Sequence, residues 1–130
     1  MINTFEKETK PLTDWERMHL LPAMVKELSQ HISRRNAIKS DYIAERMLLA
    51  TGRKPNGARI RKIVNHIRIT GMIPCLVATS EGYYVAANAE EIADCVISLQ
   101  QRARQIDQVA QALHNQMLAR FPMSGQMRLF

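Results

Sequence analysis

Asn56-Gly57-Ala58-Arg59-Ile60-Arg61-Lys62-Ile63-Val64-Asn65-His66-Ile67-Arg68-Ile69 is the stretch that decides how this chain is read. Ile60, Ile63, Val64 and Ile67 recur at the i, i+3, i+4, i+7 spacing that draws one apolar stripe along an α-helix. The spacing predicts a helix from Gly57 or Ala58 to Thr70, stopped by Gly71. Its outward positions are then Arg59, Arg61, Lys62, Asn65, His66 and Arg68, almost all basic. Asn56 stands at the mouth of the helix, where its side chain can cap the first turn.

The neighbours supply the companions such a helix needs. Upstream, Ser40 can cap a helix from Asp41 to about Leu49, with Ile43, Ala44, Met47 and Leu48 inward, and Thr51 to Gly57 is a turn dense in helix breakers. Further upstream, Thr13 and Glu16 form a capping-box pattern behind Leu12. Leu20, Leu21, Met24, Val25, Leu28 and Ile32 then mark a helical stripe over Thr13–Ser33. Pro22 falls inside that run and should kink or split it, since its ring removes one donor and crowds the preceding turn. Residues 1–10 read as a loose arm.

Downstream of Gly71 the period changes. Ile73–Ala78 and Tyr83–Ala86 are short strand-like runs around Thr79-Ser80-Glu81-Gly82, a hairpin within Ile73–Ala87. Strand alternation puts one of Tyr83 and Tyr84 in the core and the other outside. Asn88 and Glu91 then open a last helix, 89–120, about 48 Å long at about 1.5 Å per residue. Along it Ile92, Val96, Leu99, Ala103, Ile106, Ala110, Leu113 and Met117 repeat at alternating spacings of four and three, a heptad seam. A second copy of the same helix, giving a homodimer through residues 92–117, is the simplest cover for it. The competing arrangement folds the helix back on Thr13–Ser33.

Composition narrows the function classes. The chain has 130 residues and 46% hydrophobic content, enough for a core, which excludes wholesale disorder. No apolar run reaches the roughly 18 residues of a membrane span, and the N-terminus lacks a signal-peptide pattern, so no membrane partner and a cytoplasmic location are expected. Cys75 and Cys95 lie in no Cys-x-x-Cys pair and are read as reduced core thiols. His19, His31, His66 and His114 show no metal-ligand spacing, and the five glycines form no phosphate loop. Neither an enzyme nor any cofactor or metal is expected.

Charge is more telling. Between Arg34 and Arg68 stand ten cations and two acids, a local excess of eight in a chain whose net charge is +6. A basic middle between near-neutral flanks is the footprint of a polyanion-binding face, the alternative being a solvated face without a partner. Three helices followed by a two-strand hairpin, with the third helix basic, are the ingredients of a winged helix-turn-helix. The expected fold is therefore mainly α with a small β-hairpin, a winged domain over 11–88 followed by the long C-terminal heptad helix. An α-helix fits the major groove of double-stranded DNA, where Arg reads guanine and Asn adenine. Arg59, Lys62 and His66 form the expected reading face, with Arg61 and Asn65 beside it. Asn56, if not spent as a cap, can touch a phosphate. Arg34, Arg35, Arg53 and Lys54 suit the DNA backbone. The hairpin tip carries Glu81 and no cation, which weakens any role for it in the minor groove.

Ser40–Arg46, the Arg59–Arg68 helix and Ala78–Tyr84, with the opening Thr9–Glu16, resemble a winged-helix family of phage and prophage proteins. The Gly82-Tyr83-Tyr84 hairpin is also similar to the wing of the biotin-operon repressor type. The resemblance spans roughly Lys10 to Leu118 and implies the fold and DNA binding, in transcription regulation or DNA replication, without an operator. Residues 121–130 follow as a tail. There Gln126-Met127-Arg128-Leu129-Phe130 resembles the β sliding clamp-binding motif of bacterial replication and repair proteins. That resemblance implies that Leu129 and Phe130 fill a clamp pocket, while Gln126 bonds at a second subsite and Met127 lies between. It makes a replication adaptor or host-takeover protein the alternative function. The other possibility for the tail is that Leu129 and Phe130 pack back on this protein or on its dimer mate.

Overall fold

A computed structural model describes residues 11–122, so the arm 1–10 and the tail residues Gln126, Met127, Leu129 and Phe130 lie outside the described residues. Two compact units divide the chain, Met1–Cys95 and Val96–Phe130.

In the first unit the chain enters a helix through the expected capping box. Glu16 N–H donates to Thr13 Oγ1 at 3.1 Å, and Thr13 N–H donates to Glu16 Oε1 at 2.8 Å. The helix then widens into a π-turn, Glu16–Leu20, before continuing as α1, Leu21–Leu28. Pro22 explains the widening: it has no N–H to give and its ring crowds the turn before it, so the ladder slips by one residue instead of breaking. The helix ends five residues short of the expected Ser33.

Helix α2, Ser40–Thr51, ends at Gly52 (φ 82°), and α3, Gly57–Thr70, ends at Gly71 (φ 74°). Both glycines take the left-handed conformation that closes a helix at little cost. Strands β1, Leu76–Thr79, and β2, Gly82–Val85, pair antiparallel with Thr79 opposite Gly82 and Leu76 opposite Val85. Strand β1 is shorter than the sequence suggested, because Pro74 lacks a donor and Cys75 turns the chain at φ 61°, while β2 has the expected length and starts one residue earlier. The order and pairing match the winged helix-turn-helix layout, followed by α4, Ala89–Arg120.

The connection between α1 and α2 was not legible as structure. It docks along β2 as a third, strand-like edge. Ile38 and Tyr83 exchange backbone bonds of 3.0 and 2.8 Å, and Val85 exchanges 2.8 Å bonds with Ser33 and His31. Between them lies a 3-10 turn, Arg34–Asn36.

One core joins Leu20, Met24 and Leu28 to Ile43 and Met47 of α2, Ile60, Ile63, Val64 and Ile67 of α3, and Leu76 of β1. Beyond it Val77, Tyr84 and Cys95 form a second cluster, with Ile92 against it. Tyr84 is the inward ring of the pair and Tyr83 is half-buried. Cys95 is buried, but Cys75 is exposed, which corrects the expectation of two core thiols.

Close docking of the connection leaves no room at Gly82. Its φ is 123°, and a Cβ there would lie 2.4 Å from the Ile38 carbonyl oxygen. Gly82→Ala should therefore cost about 1–3 kcal/mol of stability, shown by a lower urea midpoint at unchanged m-value.

Candidate nucleic-acid interface

Helix α3 carries the candidate face, and its rotation is set by its own first turn. Asn56 is the cap: its Oδ1 accepts from Arg59 N–H at 2.9 Å. With that oxygen engaged, only the Asn56 amide NH2 is left for a phosphate. The four apolar residues of the stripe are buried as expected.

Arg59 departs from expectation. It does not stand outward. Arg59 Nε donates to Glu16 Oε2 at 2.8 Å, Nη2 reaches Glu16 Oε1, and Nη2 also donates to the Pro11 carbonyl at 3.0 Å. The side chains of Arg59 and Glu16 are only 13% and 8% exposed, so the pair is nearly dry. The Arg59 hydrogen bonds hold the Glu16 carboxyl below its ordinary pKa against the opposing pull of burial, with the Thr13 N–H helping. The same pairing raises the Arg59 pKa. A guanidinium so committed is a strut between the start of the first helix and the start of α3. The clue in the sequence was Glu16, which the capping box had already assigned to one partner.

Removing Arg59 from the outward set leaves Arg61 and Asn65 as the exposed polar positions of the face, with Ile69 at its far end and Lys62 half-buried at its edge. His66 lies at the margin, half-buried beside the stripe. Arg68 lies on the other margin, where its Nη2 approaches Cys95 Sγ at 3.6 Å. Among the described residues, Arg35, Lys39 and Lys62 make no ion pair.

Other cations of the basic segment also have internal work. Arg53 lies over the Trp15 ring, 4.5 Å from its centroid. Lys54 Nζ pairs with Glu45 Oε1 at 2.6 Å on the surface. Arg46, not singled out as a site residue, donates from Nε to Glu27 Oε1 at 2.9 Å, while His31 Nε2 lies 2.8 Å from Glu27 Oε2. Burial raises the Glu27 pKa, but His31 and Arg46 outweigh it and leave the carboxyl below its usual value.

Arg34 sits beside the hairpin. Its backbone N–H donates to Glu91 Oε2 at 3.0 Å, and Glu91 Oε1 accepts from Ala87 N–H at 2.7 Å. Among the described residues the buried Tyr84 hydroxyl finds no hydrogen-bond partner. Arg35 is exposed next to it. At the tip Glu81 is exposed and its N–H donates to Thr79 Oγ1 at 3.2 Å.

The fold defines a class, a winged helix-turn-helix chain with an exposed polar and basic side on its third helix. No protein-family model, curated protein or solved structure matches the chain. Among the described residues no cluster of His, Cys, Asp and Glu is placed to hold a metal, and no helix is long and apolar enough to cross a membrane.

The Glu16–Arg59 pair predicts a pH signature. A carboxyl whose folded pKa is lowered stabilises fully above its unfolded value, 4.5, and loses that contribution as the pH falls through the lower folded value. Urea unfolding followed by Trp15 fluorescence should show stability falling below pH 4.5, with a weaker dependence in Glu16→Gln. Arg59→Ala, which strands a buried carboxylate, should cost about 3 kcal/mol at pH 7.

Proposed function

We propose that this chain is a double-stranded DNA-binding protein of phage or mobile-element type. It acts as a dimer in transcription regulation or DNA replication, laying α3 in the major groove. The observation that carries the reading is the outward side of α3, where Arg61 and Asn65 are displayed, with the half-buried Lys62 beside them, on a helix anchored by a buried stripe and a buried ion pair. An Asn in that position suits adenine and a cation suits guanine or a phosphate. Arg53 and Lys54 at the helix mouth, with Arg34 and Arg35 beside the hairpin, supply charge for the DNA backbone once their surface partners yield. The acidic tip gives the hairpin no electrostatic reason to enter the minor groove.

Dimerisation through α4 is supported by what the helix leaves uncovered. Val96, Leu99, Ile106 and Leu113 of the heptad are all exposed, Ile106 by 70%. Ile92 and Met117 are half-buried; Ile92 packs on the Val77–Tyr84–Cys95 cluster, so the exposed seam runs from Val96 to Leu113 rather than from 92 to 117. The clamp-adaptor alternative rests on Gln126, Met127, Leu129 and Phe130. Deleting Leu129 and Phe130 should abolish β sliding clamp binding under that alternative and leave DNA affinity intact.

Lys62→Ala and Asn65→Ala should leave stability within about 0.5 kcal/mol of the parent. Lys62→Ala should weaken duplex binding and lower the slope of log affinity against log salt by about 1. Asn65→Ala should relax sequence preference in selections from a random duplex pool. Unchanged binding in both variants would remove α3 from the interface.

A further inference from the structure

The free part of the α4 seam has an internal pattern that specifies how its partner lies. With heptad positions lettered from the seam, Val96, Ala103 and Ala110 occupy a, while Leu99, Ile106 and Leu113 occupy d. All six are exposed. The a residues in the middle of the helix are small, and every d residue is large.

We infer that two copies of α4 pair antiparallel, with Ala103 opposite the partner's Ile106. This inference rests on the reading of α4 as a dimerisation helix. In a parallel pair each layer joins a residue to its own copy. Ala103 and Ala110 would then face alanines while Leu99, Ile106 and Leu113 face large residues, so narrow and wide layers would alternate and the alanine layers would hold voids. In the antiparallel register a meets d. Ala103 meets the partner's Ile106, Leu99 the partner's Ala110, and Val96 the partner's Leu113. Each of the four central layers then pairs one alanine with one Leu or Ile, which gives an even spacing and lets the helices approach closely.

Charge bears on the same choice, and weakly in the other direction. A parallel pair would bring Arg102, at g, beside the partner's Asp107, at e, and such exposed ion pairs contribute a factor of about five or less each. In the antiparallel pair Arg102 instead lays its aliphatic stem over the partner's Val109, which is 60% exposed in one chain. An underfilled core position costs on the order of thirtyfold or more, so packing outweighs the lost Arg102–Asp107 pairs.

Spin labels on Gln116→Cys, in full-length protein carrying Cys75→Ser and Cys95→Ala, report the orientation by pulsed dipolar spectroscopy. Antiparallel pairing puts Gln116 opposite the partner's Ala93, so the two labels stand about 35 Å apart along the axis at about 1.5 Å per residue. Labels side by side, with no axial offset, would overturn the orientation and leave the dimer standing. Sedimentation showing a monomer at high micromolar concentration would overturn the dimer itself. A second variant avoids the cysteine changes. Ala103→Leu should weaken dimerisation at least tenfold by crowding the partner's Ile106, whereas tighter dimerisation, from filling an alanine layer, would overturn the antiparallel register.

Discussion

The buried carboxylate of Glu16 is the point on which the first unit turns. It closes the capping box with Thr13 at the start of its own helix, and it takes the Arg59 guanidinium from α3. Arg59 in turn is the residue whose N–H the Asn56 cap accepts, and its guanidinium also holds the Pro11 carbonyl. Two helix N-termini, distant in sequence, are thereby fixed to one ion pair from which water is nearly excluded. Such a pair is costly to form and more costly to break, because a lone charge would remain in a poorly solvated place. Its effect on α3 is angular. With Arg59 turned in and the isoleucine stripe in the core, the remaining polar residues have only one side of the helix on which to appear.

The same economy of charge recurs between α1 and α2, where Glu27 holds Arg46 and His31. The basic middle of the chain thus contains two populations. Arg46, Arg59 and, more loosely, Arg53 and Lys54 brace the fold. Arg35, Lys39 and Lys62 are left to present charge. The local excess of eight positive charges therefore overstates the number of groups that could meet a polyanion.

Much of the architecture is written in local sequence signals. The α3 boundaries follow from a clean apolar period, an Asn cap and a Gly stop, all local signals. The Thr13–Glu16 cap and the hairpin were legible for the same reason. What escaped were features made by contact between distant segments. Pro22 announced a distortion, though not that a π-turn would absorb it. The 31–38 connection has little strand character of its own and gains an edge-strand role only because β2 offers unpaired backbone groups and Gly82 offers the space. On the candidate face, Arg61, Lys62 and Asn65 followed from the period, whereas the inward turn of Arg59 needed a carboxylate 43 positions away in the chain.

By itself the sequence determined the element order, the inner face of α3 and the heptad repeat of α4, because periodicity and capping act over a few residues and need no knowledge of neighbours; Ile32 and Leu48, expected inward, are exposed instead. Tertiary structure alone decided which cations are spent as struts and which stay outward, since that depends on where Glu16, Glu27 and Trp15 come to rest. It also decided that Ile92 belongs to the winged domain's second cluster while the seam residues from Val96 to Leu113 are exposed. A heptad pattern marks every position that can be buried; only packing shows which of them already are.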